Sequence, residues 1–272
     1  MNNIVANFNN VILPFAKSYG LPFNKKRAIL REYLQVKTLA LIYQEKISKD
    51  LFFVGGTSLR LLRGLDRFSE DLDFDCVNLA PKAIIALMQT VKSRLITEEI
   101  ATDLYHNKTA QRDYFELRFP ELLYDLGLSR NKDEKLMIRF DFEKWWQGQK
   151  RELILINRYG FLINIVTKTI DQVLIEKFQA YLKRLQTQPR DIYDIVWLIA
   201  NGAKPDFVFA KRNKLPNGIL KSALDKFTHE KRRLAGFKAK IRPFLIDENK
   251  HHQLDFFLPL VSDLEKTCSK LS

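Results

Sequence analysis

The segment Leu51 to Cys76, LFFVGGTSLRLLRGLDRFSEDLDFDC, restricts the fold of this chain more than any other. Leu51 to Val54 is a short apolar run of strand length, and Gly55 and Gly56 end it. Thr57 to Arg63 then reads as a helix of about two turns that stops at Gly64. After a charged stretch, Leu72 to Cys76 resumes with alternating apolar and acidic residues, the period of a strand with one buried face. A strand that turns through two glycines into a helix and returns as an alternating strand cannot belong to an all-helical or all-β fold.

The flanking pattern extends this reading. From Lys25 to about Lys49, apolar residues recur at helical spacing, and PKAIIALMQTVKSRLITEEI opens with Pro81 at a plausible first turn. Further strands are expected at YFELRFP, at KLMIRFDFE and around LILINRYGFLINIV. From about Thr169 the pattern becomes helical, in TIDQVLIEKFQAYLKRLQ and then PRDIYDIVWLIANG, with Gly202 as a stop. The expected class is α+β, with residues 1–170 mixing strands and helices and residues 171–272 forming a helical, basic domain. At 272 residues and 46% hydrophobic, the chain can bury a sizeable core.

Cys76 and Cys268 have neither the spacing of a zinc site nor that of a disulfide framework, which fits a reducing, cytoplasmic setting. No signal-type leader and no stretch of membrane-spanning length is expected, so a membrane partner is not. The formal charge is +13, and between Lys211 and Arg242 eleven Lys or Arg stand against Asp225 and Glu230, a net of +9. Such a run serves either as a solvated helix face or as a polyanion-binding surface, nucleic acid foremost.

The chemistry concentrates in the opening segment. The first N–H groups of a helix that follows Gly55 and Gly56, with the hydroxyls of Thr57 and Ser58 beside them, lie at the positive end of the helix dipole, where phosphate binds. A glycine pair alone fits an ordinary strand-to-helix connection as well. The acids add the second half: alternation puts Asp71, Asp73 and Asp75 on one side and Leu72 and Phe74 on the other. Neighbouring carboxylates repel unless a cation lies between them, and Mg²⁺ favours a few carboxylates completed by phosphate oxygens and water. A solvated loop, or pairing with Arg63 and Arg67, is the alternative.

These residues resemble the AbiEii/AbiGii toxin group of the nucleotidyltransferase superfamily, whose Gly-Gly-Thr/Ser turn and Arg-x-Ser-x-Asp-x-Asp element fall here on Gly55, Gly56, Thr57 and on Arg67, Ser69, Asp71, Asp73. A second signature continues the likeness at Glu176, Lys177, Ala180 and Arg184, followed by Arg190, Asp191, Tyr193 and Asp194. The resemblance covers about Phe53 to Leu198. It implies a polymerase-β-like core in which Asp71 and Asp73 hold a catalytic metal, Mg²⁺ or Mn²⁺, and the glycine turn holds the triphosphate of an NTP. Ser69 would orient the aspartate strand or touch phosphate, or simply stabilise a turn. The family's third carboxylate falls on Asp141 or Glu143, with Asp141 preferred because it lies inside the apolar run.

Lys177 is the triphosphate contact that the resemblance implies. Seven residues apart on a helix, Lys177 and Arg184 would share a face and form a cationic stripe. Asp191 is implied as an active-site acid, with Asp194 second, although dipole capping or an ion pair with Arg184 would equally account for Asp191. The implied activity is that of a toxin of a toxin–antitoxin system, transferring a nucleotide from an NTP to RNA at the tRNA 3′ end, with a cognate antitoxin as partner. The other readings are nucleotide transfer to a small molecule or a protein hydroxyl, and a non-catalytic nucleic-acid-binding module.

Overall fold

The computed structural model describes residues 3–109 and 113–269. The chain divides into two compact units: Met1–Gly64, Phe68–Trp145 and Leu153–Thr167 form the first, and Leu65–Arg67, Trp146–Glu152 and Lys168–Ser272 the second.

The first unit is built on a mixed five-stranded sheet. Its strands are β1 (Leu51–Val54), β2 (Leu72–Cys76), β3 (Asp103–Lys108), β4 (Asp113–Phe119) and β5 (Leu136–Glu143), in the order β1-β2-β5-β4-β3. Only β2 and β5 run parallel. Phe53, Phe74 and Phe142 lie side by side in register, their rings 5.4 and 5.3 Å apart, and Phe115 meets Phe142 edge-on at 6.0 Å. This aromatic row fills the covered face, and by strand alternation the neighbouring Asp73 and Asp141 stand on the other. The helices α1 (Lys26–Tyr43), α2 (Gly55–Arg63) and α3 (Pro81–Thr97) complete the unit. The region LILINRYGFLINIV is a separate hairpin of β6 (Arg151–Arg158) and β7 (Phe161–Lys168). Positive φ at Tyr159 (52°) and Gly160 (79°) gives its two-residue turn the twist that paired strands need.

α1 is an unusual core helix, because Glu32 and Gln35 are buried among its apolar residues. Arg60 of α2 donates to Glu32 at 2.8 Å, and Arg158 and the Tyr159 hydroxyl reach the same carboxylate at 3.2 and 3.3 Å. A buried carboxylate is tolerable only when it is paired and hydrogen-bonded in this way. Gln35 donates to the carbonyls of Ser69 and Glu70 at 3.0 and 2.9 Å, and Arg31 pairs with Glu70. One helix thus fixes both α2 and the loop leading into β2.

The second unit is helical, with α4 (Ile170–Lys183), α5 (Pro189–Ala200), α6 (Ile219–Glu230) and α7 (Phe257–Ser269) as its longest helices. At its centre Phe227 stacks on Phe257 with a ring separation of 4.5 Å, and Tyr181 meets Phe257 at a tilt, 5.5 Å away. No helix among the described residues is long and apolar enough to cross a membrane.

Candidate active site

In the first unit, α2 begins directly at Gly55, and its N-cap Val54 offers no side-chain hydrogen bond to the first turn. The opening N–H groups of the helix are therefore not capped by that side chain. Gly55 has φ +76°, and an ideal Cβ there would lie 2.0 Å from Oδ2 of Asp73. Only a residue without a Cβ lets the helix start this close to the carboxylate. The buried hydroxyl of Thr57 donates to the carbonyl of Asp71 at 2.5 Å, tying the same helical turn to the residue that enters β2.

The pairing register settles which acid neighbours Asp73. Val54, Asp73 and Asp141 are consecutive partners across β1, β2 and β5, whereas Glu143 pairs with the buried Asp75. Glu143 instead accepts from the Trp145 indole at 2.8 Å, at the exposed end of its strand. Asp141 accepts from Arg139 at 2.6 Å, and this bond, opposed by burial and helped by the charges of Asp141 and Asp71, holds the Arg139 guanidinium above its ordinary pKa. Gly55, Thr57, Asp71, Asp73 and Asp141 are thus brought together, and Ser69, half-buried, is held through its carbonyl by Gln35.

Among the described residues no group of three His, Cys, Asp or Glu side chains is gathered so as to hold a metal ion. The Asp73 carboxylate against the glycine turn, with Asp141 as its register partner, nevertheless fits a hard divalent cation, whose other ligands are water and the phosphates of a bound substrate. Asp73 Oδ2 already occupies the place at Gly55 where a Cβ would stand, which holds an acid against the first turn of α2.

In the second unit, Asp194 is fully buried. Its carboxylate accepts from Nε and Nη2 of Arg67, both at 2.7 Å, and pairs with Lys177 at 2.7 Å. Burial works to raise its pKa, but the two cations outweigh it and hold the carboxyl down at about 2. Asp66 beside Arg67 accepts from the Tyr193 hydroxyl at 2.6 Å and pairs with Lys250 at 2.6 Å. Asp191, also buried, pairs with Arg184.

The expected cationic stripe of Lys177 and Arg184 does not form. α4 ends at Lys183, and Arg184 is already extended at φ −69°, ψ 126°. Pro189 opens α5, and the residue before a proline is pushed out of helical conformation, as Gln188 is at ψ 123°, so the chain must leave α4 before the next helix starts. Lys226 secures the loosened end by donating to the carbonyls of Tyr181 and Arg184 at 2.6 and 3.0 Å. Glu32, Gln35 and Arg31 are the positioning residues that motif reading missed. The available signal was a carboxylate and an amide placed inside the apolar stripe of α1.

The family described as nucleotidyl transferase AbiEii toxin, type IV toxin–antitoxin system, matches residues 39–260. The chain belongs to the AbiEii nucleotidyltransferase toxin family. Family membership makes it a nucleotidyltransferase toxin, with an NTP as substrate and an antitoxin as partner. The fold is shared with JHP933 from Helicobacter pylori, at TM-score 0.55 and 20% identity over 92% of this chain and 97% of that one. It is shared also with MenT4, a nucleotidyltransferase toxin from Mycobacterium tuberculosis H37Rv, at TM-score 0.54 and 20% identity over 74% and 68% of the two chains. No curated protein matches the sequence.

Proposed function

We propose that this AbiEii protein transfers a nucleotide from an NTP to the 3′ hydroxyl of an RNA, the tRNA 3′ end being the acceptor. The observation that carries this reading is the approach of the Asp73 carboxylate to the glycine that opens α2. It puts donors suited to phosphate and an acid suited to a cation at one point of the sheet. In this reading residues 1–170 act as the catalytic core and residues 171–272 as a basic helical domain.

Asp71 and Asp73 would hold Mg²⁺ or Mn²⁺, which when bound supplies charge neutralisation and orientation for the triphosphate. The N–H groups of Gly55 and Gly56 and the Thr57 segment bind phosphate oxygens, and Ser69 keeps the aspartate strand in place; for Lys177 the role of triphosphate contact rests on the family signature. Asp141, next to Asp73, takes the proton of the attacking hydroxyl while Arg139 fixes its orientation. Asp191, paired with Arg184, orders the start of α5, and Asp194 presents Lys177. Nine of the eleven Lys and Arg between Lys211 and Arg242 are exposed, which supports a surface for RNA phosphates.

Incubation of the protein with α-labelled NTPs, Mg²⁺ and total RNA tests the reading. Label should enter RNA, with tRNA as the dominant band. A folded protein that leaves all RNA unlabelled would overturn it.

A further inference from the structure

The open face of the sheet continues past the carboxylates. Directly opposed residues share a face, so the row of Asp73 and Asp141 runs on through Tyr114 of β4 to Asn107 of β3. The next row on that face is Arg139, Glu116 and Tyr105, and the one after it Met137, Arg118 and Asp103. Two arginines sit over tyrosine rings here: Arg139 lies 4.1 Å from the centre of Tyr114, and Arg118 lies 4.0 Å from the centre of Tyr105. Each arginine is also bound to a carboxylate, Arg139 to Asp141 at 2.6 Å and Arg118 to Glu116 at 2.7 Å. Tyr105 and Met137 are 41% and 47% exposed, whereas Phe115, Leu117, Ile138 and Phe140 on the opposite face are buried.

An arginine whose charge is already matched by a carboxylate is a poor anchor for phosphate. Its guanidinium plane, backed by a tyrosine ring, remains a flat, polarisable surface on which a nucleobase stacks. We propose that this Arg–Tyr platform receives the terminal nucleobases of a single-stranded RNA acceptor, an inference that rests on the nucleotidyl-transfer reading above.

The strand order supports the acceptor as the occupant. In-line displacement puts the entering hydroxyl and the departing pyrophosphate on opposite sides of the α-phosphate. The glycine turn follows β1, on one side of Asp73, and β5, β4 and β3 lie on the other. With strands ~4.8 Å apart, β4 is about 10 Å from β2, so a base on Tyr114 and Arg139 belongs to a nucleotide whose hydroxyl approaches from the attacking side.

The test is fluorescence anisotropy of a short 5′-labelled single-stranded RNA with a free 3′ hydroxyl, titrated with the full chain, together with steady-state transfer kinetics. Tyr105→Leu and Arg118→Ala should each weaken RNA binding about tenfold, the scale of one lost base stack, while Tyr105→Phe, which keeps the ring, binds as the unsubstituted protein does. The same two variants should raise KM for RNA and leave KM for NTP unchanged. Undiminished RNA binding by Tyr105→Leu and Arg118→Ala, both shown to be folded by circular dichroism, overturns the proposal. A rise in the NTP KM alone overturns it too, by assigning the platform to the donor base. If the unsubstituted protein labels no RNA but its binding depends on Tyr105, base stacking on the platform stands, while the transfer reading, and with it the role of that RNA as acceptor, falls. Intact labelling and binding in every variant would remove the platform and leave the transfer reading standing.

Discussion

Oδ2 of Asp73 lies 2.0 Å from the point where a Cβ at residue 55 would stand, so the glycine and the aspartate share one space. Gly55→Ala would have to displace the carboxylate and would also hold an alanine at φ +76°, a strain of about 1–3 kcal/mol. Gly127→Ala is the matched control, because φ is +65° there but nothing lies within 4 Å of its Cβ. Both variants should lower the urea midpoint, and only Gly55→Ala should abolish nucleotide transfer under conditions where it remains folded. Full activity in Gly55→Ala would show that the carboxylate need not stay where it is.

The register that pairs Asp73 with Asp141, and Asp75 with Glu143, yields a second expectation. If Asp141 accepts the proton of the attacking hydroxyl, Asp141→Asn should lower kcat about 10² to 10⁴-fold, the range spanned by general bases. Glu143→Gln should remain within a few-fold of the unsubstituted enzyme. Label-transfer rates at saturating NTP compare the two directly, and a reversed order would reassign the third carboxylate.

The sequence made the elements near the motifs legible because their signals are local. Glycine at 64 ends α2 with φ +81°, Pro81 opens α3, and the alternation of Leu72, Asp73 and Phe74 sets the two faces of β2. Strand β3 escaped notice because Asp103–Lys108 is polar and only half-covered, with little apolar alternation to reveal it. Strand order is a non-local property, so which of Asp141 and Glu143 pairs with Asp73 could be read only from the register. The sequence sets Asp71 and Asp73 apart from the other charges of the glycine segment but does not say where those others find their partners. In the fold they have separate partners: Arg60 with Glu32, Glu70 with Arg31, Arg67 with Asp194, and Asp66 with Tyr193 and Lys250. None of those partners could be read from spacing, since each lies at least 28 residues away.

Asp194 should make stability depend on pH in the acid range. Its carboxyl titrates at about 2 in the fold against 3.8 for an unperturbed aspartate. The unfolded chain therefore takes up the proton first, and the stabilisation, about 2 kcal/mol, is complete above roughly pH 5 and lost as pH falls from there towards 2. Asp194→Asn should remove this part of the profile. It should also cost about 3–5 kcal/mol at neutral pH, because Arg67 is buried and would lose its counter-charge. Urea unfolding at stepped pH measures both effects, and an unaltered acid limb in Asp194→Asn would mean that other carboxylates govern it.

The basic segment offers a test that separates binding from folding. Lys231 and Arg232 are exposed, whereas Lys226 is half-buried and donates to the carbonyls that end α4. Lys226→Ala should destabilise the protein by about 1–3 kcal/mol, because those carbonyls lose their donor. The double substitution Lys231→Ala with Arg232→Ala should leave stability within about 0.5 kcal/mol. If both side chains neutralise RNA phosphates, the plot of log affinity against log salt should become shallower by about 1.4, since each contact with a single strand contributes about 0.7. A salt dependence identical to that of the unsubstituted protein would identify this face as solvated surface and move the RNA phosphates elsewhere.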